Sequence, residues 1–267
     1  MRPWPADDGL LVRLRLVGGR LPVASLLALL DVAETCGDGR VHVTGRANLQ
    51  LRALPSRDGV LPPEVLAALA ATGLLPSRSH ELARNVMVSP ASGRYGGRAD
   101  LGPVAGDLDR GLCADPALAT LPGRFLFVLD DGRGDLVDRA CDLGLVALDG
   151  ATAQLRIGPD WGDVVGLPEA PSCLLDLAHA FLERRGRGAH VPWHVAELPT
   201  PLGPAVLRDA RIPAAGAPMP FGRVPEGVHA EVSVDGLDRS ALTWLPDPPA
   251  EVVVTPWRGI LVPQERP

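Results

Sequence analysis

Apolar and polar residues alternate in two stretches near the start of the chain. Over residues 11–16, the period of two places Arg13 and Arg15 on one face of a predicted strand and the aliphatic residues on the other. Residues 40–54 alternate on both sides of a loop at 45–48, where Gly and Asn tolerate positive φ. This pattern predicts a β-hairpin with a guanidinium and an amide at its tip.

A stretch with helical spacing separates these two regions. Apolar residues over 21–35 predict a helix, with Ser25 as its N-cap and Gly37 as its C-terminal stop. The order of elements is therefore β-α-β-β. The same order is predicted near the other end of the chain, with strands at 229–234, 251–255 and 260–262 and a helix at 237–245.

Short strings of sequence also repeat. Val-His-Val-Thr at 41–44 resembles Val-Val-Val-Thr at 252–255, and an arginine follows each within three residues, Arg46 and Arg258. We interpret the repeat as an internal duplication. In the inserted middle region, the pattern predicts helices at 64–75 and 172–185 and one or two helices at 106–121, interrupted at Asp115-Pro116. It also predicts strands at 82–89, 124–129, 143–148 and 153–157, and a Pro- and Gly-rich linker at 192–220.

Charge is distributed unevenly along the chain. The net charge is -6, yet residues 9–54 hold six arginines against three acidic residues. This local excess of cations indicates a small anionic ligand. The sequence has no continuous run of basic residues, which argues against a nucleic-acid partner. All 26 basic side chains are arginine, which excludes a lysine Schiff base.

Other candidate chemistry is sparse. The sequence has no apolar run of about 18 residues and no signal-peptide pattern, so we predict no membrane association and expect a cytoplasmic location. The four cysteines are too far apart in sequence for a close metal or disulfide motif and are predicted to be free thiols: Cys36, Cys113, Cys141 and Cys173.

Two possible metal motifs have simpler interpretations. His190 and His194 are four residues apart, as in zinc-binding helices, but a proline between them disfavours a helix. The acidic residues Asp130, Asp131 and Asp135 are typical of a polar turn as well as of a cation site, and we favour the turn. We therefore predict no metal site, and no nucleophile or general base can be named.

Five motifs together resemble the nitrite and sulfite reductase family. They are LVRLRLVGG at 11–19, VTGRANLQLR at 43–52, ARNVMVSPASG at 83–93, LPGRFLFVLD at 121–130 and VVVTPWRGILVP at 252–263. The resemblance implies an α+β fold in which two ferredoxin-like half-domains, at 8–57 and 213–264, form a pseudo-symmetric platform for a tetrapyrrole. An inserted α/β domain at 60–198 lies between them in sequence.

The resemblance also implies a set of ligand contacts. The residues that match the family's tetrapyrrole-facing positions are Arg13, Arg46, Asn48, Gln50, Arg84, Asn85, Arg124 and Arg258, with Arg258 as the counterpart of Arg46. Arginine suits a polycarboxylate ligand because its planar fork binds a carboxylate through two hydrogen bonds. The alternative is structural: Arg13 and Arg15 are also typical of a solvated strand face, and Arg46 and Asn48 of a tight turn.

The hairpin, RNV and TPWRG motifs are most similar to the precorrin-3B synthase branch of the family, which oxidises precorrin-3A in aerobic cobalamin biosynthesis. The family implies a [4Fe–4S] cluster, held by two close cysteine pairs, and allows sirohaem. No cysteine here matches those pairs, so we expect no cofactor bound by this chain alone. Either a partner chain supplies the cluster and the electrons, or the protein is a non-catalytic tetrapyrrole-binding subunit. Sirohaem-dependent nitrite or sulfite reduction is less favoured, because Arg124 and Leu126 replace the family's lysine pair.

Overall fold

The computed structural model describes residues 3–188, 190–243 and 250–264. It divides into two compact units, the first formed by Met1–Glu81 with Pro220–Pro267 and the second by Leu82–Met219. The fold is mixed α and β, with ferredoxin-like half-domains, as the sequence predicts. The predicted domain bounds of 8–57, 60–198 and 213–264 stay predictions.

The N-terminal half of the first unit is a four-stranded antiparallel sheet with two helices. Its elements are β1 (Trp4–Ala6), β2 (Gly9–Leu14), β3 (Arg20–Pro22), α1 (Val23–Cys36), β4 (His42–Val43), β5 (Leu49–Leu54) and α2 (Pro63–Ala71). The strand order is β1-β2-β5-β4. Val12 and Leu14 of β2 and Leu49 of β5 are fully buried in the same core as α1, as the alternation predicts.

The limits of α1 test two of the predicted signals. Gly37 ends the helix as expected, since its N–H donates to the carbonyl of Ala33. The prediction of Ser25 as N-cap is wrong, because the helix begins at Val23 and Pro22 occupies the cap position without a side-chain hydrogen bond. The backbone N–H of Val23 instead donates to the carbonyl of Ala250, so the tertiary fold replaces the side-chain cap.

The C-terminal half repeats the same strand pattern. It consists of β11 (Gly222–Val224), β12 (Gly227–Glu231), β13 (Glu251–Thr255) and β14 (Gly259–Pro263), in the order β11-β12-β14-β13-β3. The helix predicted at 237–245 is wrong within the described residues, where only a 3-10 turn at Ser240–Leu242 forms. Asp238 initiates that turn by accepting the N–H of Ala241. Residues 244 and 245 lie outside the described part of the chain.

Each half contributes a short segment to the sheet of the other half. In the first direction, β3 pairs with β13, and Leu21 lies opposite Val252. In the other direction, Leu237 exchanges two backbone hydrogen bonds of 2.8 Å with Val41, the residue before β4. Gly19 allows the first exchange, because a Cβ on it would lie 2.1 Å from the carbonyl oxygen of Val254. The two exchanges are reciprocal and support the predicted duplication.

The second unit is a five-stranded mixed sheet with two helices. Its elements are β6 (Val86–Val88), α3 (Gly102–Ala114), β7 (Phe127–Asp130), β8 (Leu143–Ala147), β9 (Thr152–Ile157), β10 (Asp160–Gly166) and α4 (Ala170–Arg185). The order is β10-β9-β8-β7-β6, with β6, β7 and β8 parallel. Its core includes Phe125, whose ring lies 5.3 Å from that of Phe127 and 4.9 Å from that of Phe181.

The residues predicted as a surface linker belong to the second unit as far as Met219. They pack along the edge of its sheet: the N–H of Val206 donates to the carbonyl of Trp161 on β10, and the N–H of Asp209 donates to the side chain of Gln154 on β9. The segment is rich in Pro and Gly because it follows an irregular edge. None of the helices in the described ranges is long and apolar enough to cross a membrane.

Candidate functional site

The predicted hairpin is present and has a three-residue loop, Gly45-Arg46-Ala47, between β4 and β5. The N–H of Thr44 donates to the carbonyl of Asn48 at 2.9 Å, and the N–H of Ala47 donates to the carbonyl of Thr44 at 3.0 Å. Ala47 is left-handed, with φ of 54°. The Thr44 hydroxyl accepts the N–H of Asn48 at 3.2 Å and closes the loop. Arg46 therefore stands at the tip of a rigid turn.

Three polar side chains form a row across this sheet, which we call the polar row: Arg13, Gln50 and His42. Arg13 on β2 lies directly opposite Gln50 on β5, and Gln50 lies directly opposite His42 on β4. Residues directly opposite each other share one face of a sheet, so the three side chains are neighbours. Asp38 contacts Nε2 of His42 at 2.6 Å. Arg13 is exposed, and the other two are half-buried.

The side chain of Asn48 makes a buried hydrogen bond to the backbone. Its Oδ1 accepts the N–H of Leu16 at 2.9 Å, and the residue is only 5% exposed. This bond ties the chain after β2 to the base of the hairpin. Arg15 is also buried, so the solvated-face interpretation applies to Arg13 and not to Arg15.

The predicted excess of arginine at residues 9–54 is only partly concentrated at the hairpin. Three of the six arginines form exposed ion pairs: Arg20 with Glu251, Arg40 with Asp238, and Arg52 with Asp8. Exposed pairs of this kind contribute little to stability. The other three arginines of this stretch are Arg13, Arg15 and Arg46.

Arg84 belongs to the second unit and is engaged by an acid. Its Nε and Nη2 donate to the two carboxylate oxygens of Asp109 at 2.6 and 3.0 Å. Arg84 is 7% exposed and the Asp109 side chain 21%, so this is a partly buried, bidentate ion pair. No pattern in the sequence indicated Asp109, which follows Arg84 by 25 positions. A ligand role for Arg84 stays a prediction, and such a ligand would have to share or displace Asp109.

The two other predicted contacts of the second unit differ in exposure. Asn85 is 2% exposed, its Nδ2 donates to the carbonyl of Phe125 at 3.1 Å, and its own carbonyl accepts the N–H of Phe127. It therefore joins the start of β6 to β7. Arg124 is exposed at the entrance to β7. The ligand roles of both residues stay predictions.

The second hairpin, between β13 and β14, has the loop Pro256-Trp257-Arg258. Thr255 pairs with Gly259, as Thr44 pairs with Asn48, and Arg258 is left-handed with φ of 59°. Counted from the threonine, Arg258 takes the place of Ala47, and Trp257 takes the place of Arg46. The prediction that Arg258 is the counterpart of Arg46 is therefore wrong by one position. The sequence repeat did not indicate Trp257, because the two copies were matched through Arg46 and Arg258.

The acidic group Asp130, Asp131 and Asp135 brings its carboxylates within 4.8 Å of one another. Each already has protein partners. Asp130 accepts the N–H groups of Gly132, Gly134 and Leu136, Asp131 binds Arg133, and Asp135 accepts the Ser89 hydroxyl at 2.6 Å. Burial raises the pKa of Asp135 to about 7 and also raises that of Asp130. These contacts build a polar turn, and the expectation that the trio binds no metal stays a prediction.

The cysteines do not form a cluster-binding set. Within the described ranges, the acidic trio is the one group of three or more His, Cys, Asp or Glu side chains close enough to share a metal. Burial raises the pKa of Cys141 to about 11 and also raises that of Cys113, which disfavours the thiolates that an iron–sulfur cluster requires. These residues do not fit a [4Fe–4S] cluster. His194, for which zinc binding was disfavoured, contacts Asp142 through Nδ1 at 3.2 Å.

Known proteins resemble this chain at the level of a family model, a relative and a solved structure. Residues 5–71 match the family model of the nitrite/sulfite reductase ferredoxin-like half domain. A precorrin-3B synthase from Sinorhizobium sp is 44% identical over 52 residues, which are 20% of this chain and 11% of that protein. The structure of the NirA protein of Mycobacterium tuberculosis superposes with a TM-score of 0.66 over 95% of this chain and 54% of that one. At 17% identity, the likeness to the NirA structure concerns the fold alone.

Proposed function

We propose that the chain binds a polycarboxylate tetrapyrrole through Arg13, Gln50 and the Arg46 hairpin, on the premise that residues 5–71 match the nitrite/sulfite reductase ferredoxin-like half domain. We further propose a precorrin-3B synthase-like oxidoreductase, with precorrin-3A as its substrate. The observation that carries the proposal is the polar row, because it places a guanidinium and an amide side by side on the half-domain that the family model matches.

The chemistry of the ligand class explains this arrangement. Uroporphyrinoid intermediates carry several acetate and propionate groups around one macrocycle. A guanidinium binds each carboxylate through charge-assisted hydrogen bonds that contribute roughly 1.5–3 kcal/mol each. Arg13 and Arg46 supply the cations. Gln50 supplies an amide between Arg13 and His42. Asn48, Arg84, Asn85, Arg124 and Arg258 are the further candidates for contact, and sirohaem, a tetrapyrrole of the same charge class, is a second candidate ligand.

A non-catalytic tetrapyrrole-binding subunit is the second candidate function. It is favoured by the cysteines, which do not fit an iron–sulfur cluster. The chain covers about half of the structure and a ninth of the synthase to which it was compared, so redox activity of the whole assembly is a proposal in either case. A cluster-bearing partner protein would supply electrons. Iron and acid-labile sulfide assays on the chain alone and with a co-expressed partner separate the enzyme from the subunit.

A titration with uroporphyrin III tests ligand binding. We compare wild type with Arg13→Ala and Arg46→Ala by quenching of the intrinsic tryptophan fluorescence. Each substitution should weaken binding about tenfold, which is about 1.4 kcal/mol and the lower end of a charge-assisted bond. The matched control is Arg57→Ala, since Arg57 is exposed and pairs with Glu64 away from the row. Unchanged affinity in both test variants would return the row and the hairpin to a structural role.

A further inference from the structure

His229 on β12 is fully buried and contacts the second hairpin through its ring. Its Nδ1 lies 3.1 Å from the carbonyl oxygen of Pro220, and its Nε2 lies 2.9 Å from the hydroxyl of Thr255. A carbonyl oxygen only accepts hydrogen bonds, so Nδ1 carries the proton. In that tautomer of the neutral ring, Nε2 accepts a hydrogen bond from the Thr255 hydroxyl.

The same hydroxyl also accepts the N–H of Gly259 at 3.2 Å. A chain of hydrogen bonds thus runs from Pro220 through His229 and Thr255 to Gly259. Thr255 immediately precedes the loop 256–258, and Gly259 immediately follows it. The chain of bonds therefore fixes both ends of the loop to one buried ring.

Packing around the ring reinforces this arrangement. The ring of Phe221 lies 4.6 Å from that of His229, and the ring of Trp257 lies 6.2 Å away, edge-on. A Cβ on Gly259 would lie 2.2 Å from Nε2 of His229. The hairpin thus closes directly on the imidazole, and the space admits no side chain at position 259.

The first hairpin has the threonine, but the position equivalent to His229 holds Arg13. His229 lies opposite Leu261, two residues after Gly259, as Arg13 lies opposite Gln50, two residues after Asn48. The position that holds an exposed arginine in the first half thus holds a buried histidine in the second. His229 has the place of a ligand-facing residue but serves the loop.

We infer that His229 is a positioning residue: it fixes the loop 256–258 and so presents Trp257 and Arg258 to the ligand. For the identity of that ligand, the inference rests on the proposed function. Trp257 offers an indole face and Arg258 an exposed guanidinium, which together suit the macrocycle and a carboxylate of a tetrapyrrole.

A matched pair of variants tests the inference. Thr255→Val keeps the shape of the side chain but removes the hydroxyl, and Thr255→Ser keeps the hydroxyl. We measure hydrogen exchange at the amides of residues 257–259 and the dissociation constant for uroporphyrin III. Because a lost buried hydrogen bond is equivalent to about a tenfold change, we expect exchange about tenfold faster and binding about fivefold weaker in Thr255→Val. Thr255→Ser should stay within about twofold of wild type in both measurements.

His229→Asn is the second variant, since an amide in that place retains a donor for Pro220 but cannot accept from Thr255 in the same geometry. It should reproduce the effects of Thr255→Val. Unchanged exchange in both variants would overturn the inference. Fast exchange with wild-type affinity would also overturn it, because the role would then be structural alone. If wild type binds no uroporphyrin III, the proposed function fails, and the exchange data alone decide whether His229 fixes the loop.

Discussion

The two halves of the first unit share a backbone plan but differ in the side chains that the plan displays. Three positions of the first sheet have equivalents in the second by register from the hairpin: Arg13 and His229, Gln50 and Leu261, and His42 and Val253. The first member of each pair is exposed or half-buried, and the second is at most 2% exposed. One copy can meet a ligand with this row, while the other uses it for packing.

The shared features are those of the hairpin itself. Both loops have three residues, and both place the third in the left-handed region, Ala47 at φ 54° and Arg258 at φ 59°. In both, a threonine hydroxyl accepts the N–H of the residue that follows the loop. The two hairpins therefore share their turn geometry and differ in the side chains on their strands.

The largest expected effects concern the exchanged segments. Leu21 of β3 is fully buried and Leu237 is 5% exposed, so both side chains fill the shared core. Leu21→Ala should lower the free energy of unfolding by about 3 kcal/mol, and Leu237→Ala by about 2 kcal/mol, because its segment forms a single bridge and not a strand. Equilibrium urea denaturation measures both.

Leu207→Ala is the matched control for these two variants, since Leu207 is 91% exposed and should leave the unfolding free energy within about 0.5 kcal/mol of wild type. If Leu237→Ala lowers the free energy of unfolding no more than this control, only the β3 segment, and not the Leu237 segment, stabilises the sheet of the other half.

The residues after the two loops provide a second comparison. Gly259→Ala should lower the free energy of unfolding by about 2 kcal/mol, because its Cβ would meet the buried ring of His229. Asn48→Ala should lower it by about 1 kcal/mol, because it leaves the N–H of Leu16 without its acceptor. Thermal unfolding monitored by circular dichroism ranks the two. The opposite ranking would show that the first hairpin depends on its anchor more than the second depends on its close packing.

Much of this fold could be predicted from local pattern. Period-two alternation identified the strands around Arg13 and the hairpin, because one face of that sheet is buried and the other is polar. Strands with weaker patterns were missed. β10 is an edge strand with a bulge between Trp161 and Val164, and its exposed residues hide the alternation. The helix predicted at 237–245 failed because Leu237 was already committed to its bridge with Val41.

The candidate site could be predicted only in part, for a physical reason. Arg13, Arg46 and Gln50 lie within a few residues of a recognisable turn. The partners that decide what other side chains do lie far away in sequence: Leu16 is 32 positions from Asn48, Asp109 is 25 from Arg84, and Thr255 is 26 from His229. Periodicity carries no information on such pairs, and it therefore could not distinguish a ligand-facing arginine from one paired with an acid.

The smallest expected effects test the equivalence of the two loops at their left-handed residues. A residue with a Cβ is strained there by roughly 1–2 kcal/mol, and glycine removes the strain but loses about 0.5–1 kcal/mol to chain entropy. Arg258→Gly should therefore raise the free energy of unfolding by about 0.5 kcal/mol. Ala47→Gly should change the free energy of unfolding little, because it also removes a buried methyl group, which loses about 0.8 kcal/mol. Arg223→Gly in β11 is the control without positive φ and should lower stability. If Arg258→Gly lowers stability as much as this control in urea denaturation, the two loops are not equivalent. Trp257 is then not the structural counterpart of Arg46.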